Sequence, residues 1–244
     1  MHFIHASKNA IAVTLLLILC IGAAPASFSK AAPEKSPAIW KISDHDSVIW
    51  LFGTIHILNP KLKWRSTQID TAFSSAEKIY FEAPANSKGM QALIMRHGID
   101  KHRPLSSKMS ASGKIQMVKA LKTLGLPASR VQQFEPMRPW LVGLTLAAAQ
   151  IVAQGGDPSA GVEKTLSHEA AKQGKAIGYF ETDEEQIMFL SGLSEPAEIF
   201  FLEDGLRAIN EEPMLLDELT KSWATGDVRG IDAAMVHSLQ GHQE

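Results

Sequence analysis

Apolar residues along this chain fall into two spacings. In Val48-Ile49-Trp50-Leu51-Phe52 they are continuous, stop at Gly53 and give way to Thr54-Ile55-His56. Lys78-Ile79-Tyr80-Phe81-Glu82 and Lys175-Ala176-Ile177-Gly178-Tyr179-Phe180-Glu181 are similar short runs, each closing on a carboxylate. Short apolar runs rich in β-branched and aromatic residues and bounded by turn formers predict buried strands. Elsewhere the spacing is helical: Ile69, Ala72, Phe73 and Ala76 recur about one turn apart between Ser66 and Glu77. That helix links the Phe52 and Ile79 runs into a βαβ unit with parallel strands, whose ends share one edge. Ala38 to Ile42 adds a strand that pairs with Ser47 to Phe52 around Ser43-Asp44-His45-Asp46, a turn whose Asp and Ser side chains can bond their own backbone.

From Gly89 onward the pattern is mostly helical. Ser110 caps a helix that runs to about Leu124, with Gly125 and Pro127 as its stop. Pro139 opens a helix through Val152 that is apolar on nearly every side yet too short to cross a bilayer, the signature of a buried core helix. After the turn Gly155-Gly156-Asp157-Pro158, a helix over Val162 to Gln173, the Ala176 strand and a Thr182-capped helix through Leu190 form a second helix-strand-helix unit. Helices over Pro196 to Ile209, Pro213 to Thr225 and Val228 to Leu239 complete the chain. Because Ser47 to Phe52 is apolar on both faces, it is expected in mid-sheet with helices above and below. The expected class is therefore α/β (α+β): a central mixed, largely parallel sheet with an opening hairpin, flanked by many helices.

The N-terminal stretch follows a different logic. Lys8, the apolar run Ala10 to Ala24 and the small-residue step Ala24-Pro25-Ala26 predict a secretory signal over residues 1–26. Its removal makes the protein exported, periplasmic or secreted, with membrane contact only through this segment before cleavage. Residues 27–37 read as a flexible leader and 38–244 as one domain. Cys20 is the sole cysteine and leaves with the signal, so disulfides and thiolate metal sites are excluded. Lys8 is also the sole charge removed, which moves the formal net charge from −2 to −3. The basic residues are scattered rather than gathered on one face, which argues against nucleic acid. Their densest run, Arg96 to Arg103, reads as a solvated loop.

Candidate chemistry sits at the strand ends. His56 can ligate a metal or act as a general base, its ordinary pKa being near neutrality; the plain alternative is a core or turn histidine. Glu82 and Glu181 end apolar strands, where a carboxylate is costly unless it meets a cation, a donor or water. A divalent ion held by one imidazole and several carboxylates would satisfy them, as would helix capping or an arginine partner. Glu163 follows Gly161 at a helix start, a position the helix dipole favours for a negative charge. Arg138 stands at another helix start, where a cation is disfavoured, and so points to a carboxylate partner or an anionic substrate. No His-Glu-x-x-His helix, phosphate-binding glycine loop or Gly-x-Ser-x-Gly elbow is present.

Several ordered motifs carry a resemblance: Trp40-Lys41-Ile42, Leu51 to His56, Phe81-Glu82, Arg138-Pro139-Trp140-Leu141 with Thr145-Leu146, Gly161-Val162-Glu163, Gly174-Lys175-Ala176 through Glu181-Thr182 to Gln186, and Trp223 with Gly226-Asp227. From Ile39 to Asp227 the chain resembles the TraB/GumN family, which includes the TIKI proteins. The resemblance implies a metal-dependent hydrolase fold whose site is built from two Gly-x-x-His motifs and a glutamate; TIKI members are described as metalloproteases. It makes His56 the first motif's histidine and Glu82 the acidic residue after the next strand. Glu163 stands where many relatives carry Asp, Glu181 belongs to the Glu-Thr pair, and Arg138 is a further site residue.

One departure is plain, because Gly53 is the only glycine followed by a histidine three places later. The family's second motif has no counterpart, the expectation for a C-terminally truncated member. Two functional expectations follow. One is an exported, peptidase-like hydrolase of peptide or protein substrates. His56, Glu82 and Glu181 would hold Mn, Co, Fe or Zn, and His56, Glu82, Glu163 and Arg138 would act in catalysis. The other is a non-catalytic protein that sequesters a peptide or signal.

Overall fold

Ser43-Asp44-His45-Asp46-Ser47 folds back on itself because the Asp44 carboxylate accepts from the Asp46 and Ser47 backbone N–H groups and from the Ser47 hydroxyl. The turn joins β1 (Ile39–Ser43) to β2 (Val48–Phe52) in an antiparallel hairpin with Ile39 opposite Phe52 and Ser43 opposite Val48. The computed structural model describes residues 35–84 and 88–240. The expected signal and all of the leader before Lys35 lie outside the described residues. Helix α1 (Thr67–Ser75) follows, its first turn capped by the Ser66 hydroxyl, and leads to β3 (Lys78–Phe81).

Next come α2 (Lys88–His97), α3 (Ala111–Thr123), the single turn α4 (Val131–Phe134) and α5 (Pro139–Ala153). Ser110 caps α3 through the Gly113 N–H, and Gly125 ends it with φ at +69°. Then α6 (Val162–Lys172) precedes β4 (Ala176–Tyr179), and α7 (Asp183–Ser191) starts on a capping box between Thr182 and Glu185. The final helices are α8 (Glu195–Glu211), α9 (Leu215–Ala224) and α10 (Val228–Gln240).

The mixed α/β class and the opening hairpin are as expected, but the strands are distributed differently. Among the described residues β2 pairs with β1 alone, and the parallel partner of β3 is β4, with Lys78 opposite Ala176 and Phe81 opposite Tyr179. The expected parallel pairing of β2 with β3 is not formed. The physical reason lies just after Phe52, where the chain turns toward α6: Ile55 O accepts from the Val162 N–H and Leu58 bridges Asp157. Nor is β2 covered on both faces. Trp40, Ile42, Ile49 and Leu51 are cross-strand neighbours on one exposed face, with Ile49 at 55 %. Only the base of the hairpin, Ile39 and Phe52, packs into the core.

Two apolar clusters hold the helices. One joins the hairpin base, α1, β3, α6, α9 and α10 through Leu58, Ile69, Phe81, Val162 and Trp223. Its aromatic part is the Phe52, Trp64, Trp223 trio, with ring centroids 6.1 to 6.4 Å apart. The other joins α3, α5 and α8 through Met117, Leu121, Val142, Leu146, Leu202 and Leu206. Trp140 and Val142 are fully buried, so α5 is the core helix its composition predicts. No described helix is long and apolar enough to cross a membrane.

Candidate metal centre

The loop after β2 is fixed from three sides before His56 is reached. Trp223 Nε1 donates to the Gly53 carbonyl at 2.8 Å, and the Val162 N–H donates to the Ile55 carbonyl at 3.0 Å. Gly161, the N-cap of α6, lies directly against the His56 main chain, where a Cβ would overlap the His56 carbonyl. This close approach is why the chain needs glycine there. The start of α6 and the end of the β2 loop are therefore locked together.

That lock brings His56 to Glu163. The imidazole Nδ1 forms an ion pair with Glu163 Oε2, and the Thr54 hydroxyl donates to Glu163 Oε1 at 2.8 Å. Glu163 is mostly buried, with 12 % of its side chain exposed, whereas His56 keeps 45 %. Glu82, the residue after β3, is carried to the same place by the ladder, which continues past β4 through Glu181 N–H to the Glu82 carbonyl at 2.8 Å. One ligand atom from each of His56, Glu82 and Glu163 lies within 4.8 Å of the others. They face a cavity of about 230 Å³ whose wall includes Met90, Tyr179 and Gln186.

The charges in this cavity adjust to one another. Glu163 raises the His56 pKa above 6.5, mainly through the hydrogen bond, against the opposing effect of burial; the negative charges of Glu163 and Glu82 add to the rise. Glu82 is raised above 4.5, first by burial, then by the charges of Glu163 and Glu181, with His56 opposing. Its carboxylate makes no hydrogen bond or ion pair with any described residue. An imidazole and two carboxylates around one small cavity, one of the carboxylates without a donor among the described residues, form a nitrogen and oxygen donor set that could hold a divalent ion.

The other two expected site residues lie elsewhere. Glu181 stands just outside the donor set, on a neighbouring cleft that Tyr179 and Phe180 also line, and reaches the centre through its charge on Glu82. Arg138 does not line the cavity. It occupies the N-cap position of α5 without capping it through its side chain, which pairs with the buried Glu198 and donates to the carbonyls of Ser191 at 2.8 Å and His97 at 3.1 Å. Of the alternatives read from its position, the structure realises the carboxylate partner. Asp44, His45 and Asp46 also approach one another closely, but Asp44 is already used by the hairpin turn.

The match of the TraB/PrgY/gumN family model extends over residues 38–244, from the hairpin through the donor set to the last helix. The chain belongs to the TraB/PrgY/gumN family. No curated protein and no solved structure matches it. In this TraB/PrgY/gumN chain the residues absent from the sequence-derived set are Thr54 and Glu198. Thr54 sits inside the Gly53 to His56 motif, where a hydroxyl between the glycine and the histidine is the readable signal. Trp223 was legible as a motif residue, but its role as donor to Gly53 was not.

Proposed function

We propose that this TraB/PrgY/gumN chain is an exported, metal-dependent hydrolase acting on peptide bonds, with its centre at His56 and Glu82 and with Glu163 supporting them. The observation that carries the reading is the meeting of His56, Glu82 and Glu163 within 4.8 Å at a shared cavity. Mn, Co, Fe or Zn would suit nitrogen and oxygen donors, and any of them would supply Lewis-acid polarisation of a carbonyl. His56 and Glu82 would hold the ion. Glu163 would orient the imidazole, since both of its oxygens are already engaged. Glu82, whose pKa is raised by burial and by the charges of Glu163 and Glu181 and which has no donor among the described residues, is suited to take up and release a proton. Glu181 adds negative charge from the rim.

A second reading is favoured by the size of the donor set. With Glu163 committed to Thr54 and His56, few ligands remain for an ion, and the exposed Tyr179 and Phe180 beside the cavity could hold a peptide without cutting it. The purified protein titrated with Mn, Co and Zn, and then assayed on a peptide library, separates the two. Uptake of about one ion, lost in His56→Ala, with metal-dependent cleavage supports the hydrolase. Peptide binding without cleavage supports sequestration, and equal metal content in both proteins removes the centre.

A further inference from the structure

We infer that Thr54 is a positioning residue which, acting through Glu163, selects the tautomer of His56 and leaves Nε2 as the nitrogen that faces a ligand. The inference rests on the metal-centre reading for its purpose, but its geometry stands without an ion. Thr54 lies two residues before His56, at the end of the hairpin, while Glu163 comes from the first turn of α6. The Thr54 hydroxyl donates to Glu163 Oε1 at 2.8 Å, a bond that opposes rotation of the carboxylate. With Oε1 so held, Oε2 is left to accept from His56 Nδ1–H.

An imidazole has two nitrogens, and in the neutral ring only one carries the proton. The hydrogen bond made by one nitrogen decides which, and a carboxylate on Nδ1 keeps the proton there and the lone pair on Nε2. Metal-ligating histidines are held in this way by a carboxylate or carbonyl behind them. Here the carboxylate is itself aligned by a second residue from the histidine's own loop. The hydroxyl, carboxylate and imidazole form a chain of three that ends at the cavity. Gly161 makes the chain possible by letting the α6 N-terminus press against the His56 backbone.

The test needs no bound metal. In the metal-free protein, above the pH at which the imidazole titrates, long-range ¹H–¹⁵N correlation spectra distinguish Nδ1–H from Nε2–H. The His56 signals are assigned by their loss in His56→Gln. The wild type is expected to show the Nδ1–H form. Thr54→Val, equal in shape but without the hydroxyl, is expected to give a mixture of both forms, and Thr54→Ser to restore the wild-type pattern. Zn or Mn affinity should fall about 10-fold in Thr54→Val and recover in Thr54→Ser.

An Nε2–H form in the wild type, or the same form in wild type and Thr54→Val, overturns the inference whether or not metal binds. The expected tautomers in a protein that takes up no metal leave the role of Thr54 standing and remove the hydrolase reading instead.

Discussion

Trp223 donates its indole N–H to the Gly53 carbonyl at 2.8 Å, joining residues 170 positions apart in the chain. The indole belongs to α9 and also packs on Phe52 and Trp64, so one side chain ties the hairpin, the loop before α1 and the C-terminal helices together. Its polar edge aims the segment that carries Thr54 and His56. Packing and hydrogen bonding can be tested apart here. Trp223→Phe keeps an aromatic ring and deletes the donor; urea unfolding should show a loss of about 1–2 kcal/mol, part of it from the smaller ring. Metal uptake at His56 should weaken in parallel. Unchanged uptake would mean that the loop holds its shape without this bond.

Gly161→Ala should act on the same loop from the other side. The glycine has φ −55° and ψ 143°, which alanine adopts freely, so the expected damage comes from the clash of the new methyl with the His56 carbonyl and not from backbone strain. Overpacking of this kind costs about 1–3 kcal/mol. Metal uptake should fall further than stability alone explains, as isothermal titration at a temperature where the variant is folded would show. Wild-type affinity in the variant would contradict the close contact.

Removing Arg138 should be costly for a different reason. Glu198 is 2 % exposed, and Arg138 is the cation paired with it. Arg138→Gln leaves a buried carboxylate without a counter-charge, a change that costs about 3–5 kcal/mol. The double variant Arg138→Met with Glu198→Leu should recover much of the loss, since an apolar pair of similar volume can replace a buried ion pair. Chemical denaturation of the two proteins reads this directly. A single variant as stable as the wild type would show that the pair contributes nothing.

Stability should also carry a pH signature. The folded pKa of His56 is raised above 6.5, so the folded state holds that proton more tightly than the unfolded chain does. Its contribution is complete below 6.5 and is lost as pH rises through the folded pKa. Glu82, raised above 4.5, acts in the same sense in a lower window. The Tm difference between metal-free wild type and His56→Gln should therefore be greatest just below pH 6.5 and shrink as pH rises. A difference constant from pH 5.5 to 9 would refute the coupling to Glu163.

Two of the three residues that meet at the cavity are legible as candidates because they stand at strand ends. His56 and Glu82 each follow a short apolar run, and a polar group in that place must find company or water. Glu163 was legible as a helix-start carboxylate, though not as the partner of His56, because its dipole position gave it a sufficient local explanation. Which strands pair was not legible. Periodicity identifies a strand without naming its neighbour, so the sequence order suggests β2 beside β3, whereas the loop after β2 is drawn to α6 and β3 takes β4 instead. Arg138 and Glu198 are 60 residues apart, and nothing local to either announces the other.

The outward face of the opening hairpin bears on how the molecule behaves when concentrated. An indole and three branched aliphatic side chains stand in water on a two-stranded ribbon with no further strand on either edge among the described residues. Unpaired edges and apolar patches invite other chains to add on. The hairpin is thus one apolar face through which copies of the chain can meet, and a lysine placed at Ile49 acts on that property at the end of the ribbon remote from Phe52 and the His56 cavity.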